Sequence, residues 1–372
     1  MTRPVFFIVL YFLLHSCSSI PPYVDGNTHF LSIPEQPSEE GYFKGHFEIA
    51  EIIPIQTSDT FLISDIKRLI RYRDKIILLS SKNNTVFVVN AKNGEIEESI
   101  QRIGAGPGES KFILDIAFDE QFQQILIYND YSKLLFFDLK GQFLSELQVD
   151  EIYEEMNWQD GKVFFHNKLE GYSSYPYSLK ILNIENKTWE DVGNNRKVDF
   201  PIRIQGRQMV RSKQLWFTAP LDFNLFNYEK NYTRTPYELS FLNSEINESL
   251  VNMSVSDPQK FFQEVMTKKQ IYGINSIRET NDYLIFRSNQ EGIFILDKKQ
   301  DQVYWDQFVE EKTIDMNLTN YFPHEGDDNK IMFILHPDEL YRKHKKADLS
   351  NIEMLSEVEV DDNPILIFYK QK

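Results

Sequence analysis

Cysteine is almost absent from this sequence, because Cys17 is the only one among its 372 residues. A single cysteine excludes an intrachain disulfide bond, and there is no C-x-x-C pattern. The H-E-x-x-H pattern of zinc peptidases and the G-x-S-x-G pattern of serine hydrolases are also missing. No familiar catalytic or metal-binding motif is therefore available, and we expect neither a cofactor nor a bound metal.

Positive charge is also in short supply. Lysine and arginine number 40 against 56 aspartates and glutamates, so the formal charge is −16, and the acidic residues are spread along the chain. Nucleic-acid binding depends on clustered basic residues that neutralise phosphates, so we expect no nucleic-acid partner. Hydrophobic residues make up 41% and aromatic residues 14% of the chain, which is enough for a sizeable core.

The sequence begins with an apolar run, Val5 to Leu14, whose ten residues are too few for a membrane-spanning helix of about 20. Arg3 precedes the run and Cys17 follows shortly after it, a pattern typical of a signal peptide over residues 1–16. The stretch Leu14-His15-Ser16-Cys17 resembles the lipobox of bacterial lipoproteins, whose cysteine is acylated and becomes the mature N-terminus. The alternative is an ordinary secretory signal with Cys17 as a free thiol.

Residues 17–46 predict a semi-extended tether between the acylated cysteine and a folded body. The segment is rich in small polar residues and contains Pro21, Pro22, Pro34 and Pro37. Membrane contact would then occur through the lipid anchor only. We therefore expect a location in the cell envelope, at the outer membrane, with the body facing the periplasm or the outside.

Two strand patterns recur along the body, at first with a spacing of about 45 residues. One is a nearly continuous apolar run, typical of a strand buried on both faces. Its six copies begin at Lys75, Gln124, Lys162, Gln214, Tyr283 and Lys330. The other is an apolar run that ends in a turn-forming residue. These residues are Asn90, Asp138, Asn183, Asn227 and Asp297.

The repeats predict an all-β fold, a six-bladed β-propeller over residues 47–372 with two short helical insertions. A stacked solenoid is the alternative, and it would need more regular spacing. No outer strand follows Tyr369, so we expect the strand pattern near residues 47–57 to complete the sixth blade and close the ring. The helices are predicted from "SDPQKFFQEVMTKK" and "HPDELYRKHKKAD".

Several of these segments resemble one family, the six-bladed β-propeller lipoproteins of Bacteroidota-type bacteria, which are related to the NHL-repeat propellers. The resemblance covers most of residues 47–372. It is carried by Ile52 to Leu69, Ile103 to Ser110, Phe136 to Leu144 and Asp361 to Lys370. The resemblance implies a propeller fold, and it assigns no catalytic residue because the shared pattern is structural.

A glycine-rich loop, "IGAGPGES", contains Gly104, Gly106, Pro107 and Gly108. Its spacing matches neither a P-loop nor a dinucleotide fingerprint, and Glu109 would repel a phosphate. We interpret the loop as a structural corner between the outer strand of blade one and the inner strand of blade two. The glycines there allow positive φ angles and a close approach of the backbone.

Two sets of residues are candidates for ligand binding. The loops after the second strands carry aromatic and acidic side chains suited to a sugar or a peptide, namely Asp130, Tyr131, Tyr172, Tyr175, Tyr177, Asp222 and Phe223. Near the entry to blade four, Arg203 and Arg207 are candidates for an acidic ligand at the channel mouth. The alternatives are core aromatics that reach the rim and arginines paired with surplus carboxylates.

The sequence favours a monomeric binding or scaffolding module for a glycan, a peptide or an envelope protein. The alternative is a hydrolase or lyase with its site at the central channel. The expected inner strands contain acids but no set of histidines, so no catalytic residue is assigned. His166 lies in an apolar strand and is interpreted as a core residue, and Glu325 to Lys330 as a solvated turn without EF-hand ligand order.

Overall fold

The propeller is visible in the strand pairing of a computed structural model. The structure describes residues 28–372 except 59, 150–151, 169–178, 193–205, 220–221, 230–231, 242–247, 327 and 345–354. Six antiparallel sheets of four strands form the blades, and one of them carries an additional parallel strand. The predicted all-β, six-bladed architecture is confirmed. Before the first blade lie β1 (His29–Ile33), α1 (Tyr42–His46) and β2 (Phe47–Pro54).

Blades one to three follow the predicted repeat, each running from its inner to its outer strand. Blade one contains β3 (Arg68–Tyr72), β4 (Lys75–Ser80), β5 (Thr85–Asn90) and β6 (Ile96–Ile100). Blade two contains β7 (Ile113–Asp119), β8 (Gln124–Asn129), β9 (Lys133–Asp138) and β10 (Phe143–Gln148). Blade three contains β11 (Tyr153–Gln159), β12 (Lys162–Lys168), β13 (Leu179–Asn183) and β14 (Trp189–Val192).

Blades four to six carry the insertions. Blade four contains β15 (Met209–Arg211), β16 (Leu215–Phe217), β17 (Asn224–Glu229) and β18 (Tyr232–Phe241), and α2 (Glu248–Ser256) and α3 (Pro258–Thr267) follow it. Blade five contains β19 (Ile274–Glu279), β20 (Tyr283–Ser288), β21 (Ile293–Asp297) and β22 (Gln302–Asp306). After the hairpin of β23 (Val309–Glu311) and β24 (Met316–Leu318) come β25 (Tyr321–Phe322), β26 (Ile331–Leu335), α4 (Pro337–Lys343) and β27 (Ile365–Gln371) of blade six.

The hydrophobic core is divided among the interfaces between neighbouring blades. One apolar cluster lies between each adjacent pair, including the pair formed by blades six and one. On β4, Ile76 and Leu78 face blade six, whereas Ile77 and Leu79 face blade two. The second strand of a blade is therefore apolar at consecutive positions because both of its faces are buried.

The ring closes through the two ends of the propeller sequence. Strand β2 pairs antiparallel with β27, from Phe47 opposite Gln371 to Pro54 opposite Ile365. Blade six thus has the order β25, β26, β27, β2, with its outer strand taken from the beginning of the chain. The predicted closure is confirmed, and it leaves no blade without its fourth strand.

Residues 28–46 lie against the propeller, which differs from the expectation of a tether over residues 17–46. Strand β1 pairs in parallel with β18, and its Leu31 and Ile33 are buried. In α1, Phe43 is buried, and its backbone amide donates to the Asp306 carboxylate at 2.7 Å. Strand β1 therefore covers the edge of blade four. Residues 17–27 lie outside the described part of the chain.

Both predicted helical insertions are present. In α3, Asp257 accepts a hydrogen bond from the Lys260 amide, Pro258 opens the first turn, and Phe261 and Val265 are buried. The sequence missed α2, which precedes α3 and contains residues with weak helix propensity such as Val, Ser and Asn. None of the helices in the described part of the chain has the length and apolar character needed to span a membrane.

Candidate binding site at one mouth of the central channel

Charged side chains from the inner strands form an ion-pair network on the axis of the propeller. Arg68 on β3 donates to Asp115 on β7 at 3.0 Å and to Glu325, just after β25, at 2.7 Å. Arg207, just before β15, donates from its two Nη atoms to the two carboxylate oxygens of Asp115, at 3.1 and 3.0 Å. These contacts join blades one, two, four and six.

Blade three completes the central network from β11. The Asn157 side-chain amide donates to Glu325 at 2.9 Å. Glu155 accepts the backbone amides of Gln208 and Met209, at 3.0 and 2.9 Å, as blade four begins. The side chains of five blades are thus held together at the axis.

The buried charges of this network are compatible with a stable fold because each has partners of opposite charge. Arg68 and Asp115 are 0% exposed and Glu325 is 1% exposed, so an unpaired charge there would be costly. Burial alone would raise the pKa of Asp115, but the guanidinium groups of Arg207 and Arg68 outweigh it and hold that pKa at about 2. Burial raises the pKa of Glu155 above its ordinary range, although Arg207 opposes the shift. The network closes the channel and belongs to the structural core.

At the end of the channel where the inner strands finish, the arginines also have acidic partners. Arg278 on β19 donates to Asp328 at 2.6 Å and to the Gly326 carbonyl at 2.7 Å. Arg71 on β3 pairs with Glu51 at 2.7 Å. We call this end the paired mouth.

At the end where the inner strands begin, the channel opens into a cleft of about 950 Å³. Its walls come from the segments that enter β3, β11 and β15, from the turn after β20, from β25 and from the residues around the end of α3. Gly206 permits one tight junction there, because its φ is +97° and a Cβ atom would lie 2.4 Å from Asn275 Oδ1. The carbonyl of the next residue, Arg207, accepts the Ser276 amide at 2.6 Å, so blades four and five meet closely at the cleft.

Arg287, near the end of β20, is a half-buried guanidinium group in this cleft. Among the described residues it has neither a carboxylate within ion-pair distance nor a hydrogen-bond partner. Burial lowers the pKa of Arg287, and Tyr321 opposes that shift only in part. The group remains charged at neutral pH because the pKa of an arginine guanidinium ordinarily lies far above 7. A partly dehydrated charge without a partner favours an anion from outside the chain.

Other basic groups of the cleft are engaged within the protein. The Lys67 ammonium donates to the Leu114 carbonyl at 2.5 Å, and Arg207 forms the ion pairs with Asp115. Among the described residues that line the cleft, Arg287 is therefore the cation without a partner in the protein.

An apolar wall accompanies Arg287. Met266, at the end of α3, is 67% exposed, and Tyr272 follows the same helix and packs against Phe261 and Phe262. The Tyr321 hydroxyl is used internally, since it donates to the Ser276 carbonyl at 3.1 Å. The cleft thus combines the guanidinium group of Arg287 with an adaptable thioether and an aromatic ring.

Four of the sequence-predicted ligand residues lie in the described loops but do not line the cleft. Asp130 accepts the amides of Lys111 and Phe112, at 3.2 and 3.0 Å. Asp222 stabilises its own turn by accepting the Asn224 amide at 2.9 Å. Phe223 packs against the core between blades four and five, and Tyr131 is 40% exposed. These side chains are separated from Arg207, which lies at the base of the cleft.

The remaining candidates, Tyr172, Tyr175, Tyr177 and Arg203, lie outside the described residues. The sequence analysis did not select Arg287 as a ligand residue, although the sequence contains an indication of its position. In "YLIFRSN", Arg287 directly follows the apolar run Leu284 to Phe286 of a second strand. The pairing of Arg207 with a carboxylate was the alternative that the sequence offered, but its partner Asp115 and the ion pairs of Arg68 were missed, because the members are far apart in sequence.

The glycine-rich loop connects β6 to β7, at the predicted corner. The amide of Gly106 donates to the Glu109 carboxylate at 2.8 Å, so the loop's own acid occupies the position near its amides. Gly108 has φ +71°, and a Cβ atom there would lie 2.5 Å from the ring of Phe143. These contacts give the loop a packing function and oppose an anion.

Neither the acid Glu325 at the axis nor the buried His166 is a free titratable group at the channel mouth. Glu325 is buried and paired with Arg68, so the interpretation of Glu325 to Lys330 as a solvated turn is wrong at that residue. Burial lowers the pKa of His166 to about 4, which keeps this core imidazole neutral at pH 7. Within the described ranges, His, Asp and Glu side chains form no group that would hold a metal ion.

Comparisons with known proteins agree with the fold. The crystal structure of a protein described as exported, from Bacteroides fragilis, is 17% identical, with a TM-score of 0.75 and coverage of 93% of this chain and 99% of that chain. A member of the DUF4221 family from Bacteroides vulgatus is 8% identical, with a TM-score of 0.52 and coverage of 88% and 99%. No curated protein matches the sequence significantly.

The family assignment comes from the sequence itself. The model of a family described as a domain of unknown function, DUF4934, matches residues 35–370, which include all six blades and the closing strand β2. The chain belongs to the DUF4934 family.

Proposed function

We propose that this protein is an exported binding module that takes its ligand in the cleft at the channel mouth. The observation that carries the proposal is Arg287, which has no ion-pair partner among the described residues and lies in a cleft of about 950 Å³, above a channel closed by ion pairs. A concave site with a few polar groups and an apolar wall is the usual form of a ligand site. A peptide, a glycan or an envelope protein remains the expected partner.

The engagement of the acids favours binding over hydrolysis or lyase chemistry. Asp115 is held ionised by two arginines, and Glu155 accepts two backbone amides. A general acid or base needs a pKa near the working pH and access to the substrate. The fully buried Asp115, with its pKa at about 2, does not meet these requirements.

A block of the cleft tests this function. Gln290 lines the cleft, so Gln290→Trp would place a bulky ring there and obstruct it, whereas Gln121→Trp places the same ring on an exposed turn between β7 and β8. The full-length protein, isolated in detergent, is applied to peptide and glycan arrays. We expect wild type and Gln121→Trp to bind the same ligands and Gln290→Trp to lose them. Undiminished binding by Gln290→Trp would show that the cleft is not the site.

We also propose that Cys17 is acylated and anchors the propeller to a membrane of the cell envelope, as in the lipoprotein family that the sequence resembles. The support is the apolar run followed by a lipobox-like cysteine. Cells grown with labelled palmitate should transfer label to the wild-type protein and not to Cys17→Ala. Equal labelling of the two proteins would refute acylation at this residue.

A further inference from the structure

The lack of an ion-pair partner among the described residues distinguishes Arg287 from the buried arginines. Arg68, Arg207 and Arg278 each have a carboxylate within 3.0 Å. Arg287 contacts no carboxylate among the described residues, although the chain carries a formal charge of −16. An arginine fork presents parallel N–H donors that match a carboxylate or a phosphate, and that pairing is stronger than a neutral hydrogen bond.

The charges around Arg287 favour a monoanion over a phosphate or a polyanion. The charged residues that line the cleft balance one another, since Lys67, Arg207 and Arg287 stand against Glu154, Glu155 and Glu291. A phosphate would therefore add an excess of up to two negative charges. The negative charge of the whole chain would also repel an acidic polysaccharide. A ligand with a single carboxylate adds an excess of only one negative charge, so both costs are smaller for it.

The surroundings of Arg287 also favour an apolar group beside that carboxylate. The exposed Met266 and the half-buried Tyr272 line the same cleft. An unbranched thioether adapts to differently shaped apolar partners, and an aromatic ring offers a flat contact surface. A carboxylate next to an apolar side chain is the chemistry of a peptide chain that ends in an apolar residue.

From these observations we propose that the cleft binds the C-terminal residue of a peptide. Arg287 binds the terminal carboxylate, and Met266 and Tyr272 contact the apolar side chain of that residue. This inference rests on the proposed function of the cleft as the binding site, and it adds the class of ligand and the anchoring residue.

Titration calorimetry on the full-length protein in detergent tests the inference with acetyl-Ala-Ala-Phe as the free acid and as the C-terminal amide. We expect the acid to bind and the amide to bind at least about 10-fold more weakly, because the amide cannot form the ion pair. Arg287→Gln should weaken binding of the acid by about 10- to 100-fold and leave the amide unchanged. Arg287→Lys should give an intermediate affinity, since it keeps the charge but loses the fork.

Matched controls separate the carboxylate anchor at Arg287 from the proposed function of the cleft as the binding site. Arg73→Gln, at an exposed position after β3, should bind the acid as wild type does. Acid and amide of equal affinity, both lost in Gln290→Trp, would refute the carboxylate anchor and leave the cleft as the binding site. Unchanged binding in Gln290→Trp would refute the cleft itself.

Two further probes identify the anion. Galacturonic acid carries a carboxylate without an apolar side chain, and inorganic phosphate carries charge alone. We expect both to bind far more weakly than the peptide acid. Equal or tighter binding of either probe, or absence of binding by the peptide acid, would overturn the assignment to a peptide C-terminus.

Discussion

At the paired mouth of the channel, Arg71 and Arg278 have carboxylate partners at 2.7 and 2.6 Å, whereas at the opposite mouth Arg287 has none among the described residues. Both ends are built from the same repeated blade, with the same inner strands. The difference lies in the side chains that the blade ends carry. At the paired mouth the charges connect blade six to blades one and five. At the opposite mouth the charge of Arg287 can bind a ligand.

This comparison shows how a charge can be assigned to stability or to function. A buried charge with a complete set of partners contributes to the fold. Its removal leaves those partners unpaired in the protein interior, where the dielectric constant is low. A half-buried charge without a partner costs folding energy, so its presence indicates a role outside folding. Arg68 and Arg287 represent the two cases, and the following variants test the distinction.

The largest effect is expected at the centre of the paired network. Arg68→Gln leaves Asp115 and Glu325 buried without one of their cations, so we expect a loss of about 3–5 kcal/mol in the free energy of unfolding. Urea denaturation followed by tryptophan fluorescence measures it. Arg73→Gln, at an exposed position, should change stability by less than about 0.5 kcal/mol. Similar small changes in both variants would remove the distinction.

A smaller effect is expected from acid. The pKa of Asp115 is about 2 in the folded protein and 3.8 ordinarily, so its ionised form stabilises the fold above pH 3.8 and this contribution is lost as the pH falls toward 2. The contribution is about 2 kcal/mol. Between pH 5 and pH 2, Asp115→Asn should therefore lose about 2 kcal/mol less than wild type. An equal loss in the two proteins, measured by urea denaturation, would contradict the ionised state.

The smallest effect is expected at Arg287. Arg287→Gln removes a half-buried charge and breaks no ion pair with a described residue. We therefore expect the free energy of unfolding to stay the same or to rise by up to about 1 kcal/mol. Thermal unfolding without ligand gives the comparison with wild type. A marked decrease in stability would place Arg287 with the structural arginines and weaken the case for a binding role.

Much of the fold could be predicted because its signals are local. Six apolar second strands and their turn residues recur in the sequence, and a strand buried on both faces must be apolar at consecutive positions. The closure by β2 was also predictable, because blade six lacked an outer strand and the strand pattern near residues 47–57 belonged to no other blade. The docking of β1 on β18 was not, because its few apolar residues lie among prolines and its partner is more than 200 residues away.

The sequence by itself determined the six-bladed ring. Each repeat shows the apolar pattern of a strand buried between two neighbouring blades, and the sequence contains six copies of that pattern. Only the tertiary structure decided which charges are paired. Arg68 and Asp115 are 47 residues apart and Arg207 and Asp115 are 92 apart, yet the converging inner strands bring all three together. On β20, Arg287 lines the same cleft as Met266 and Tyr272, and it has no carboxylate within ion-pair distance among the described residues. Charge pairing depends on distances in space, and the order of residues along the chain does not specify those distances.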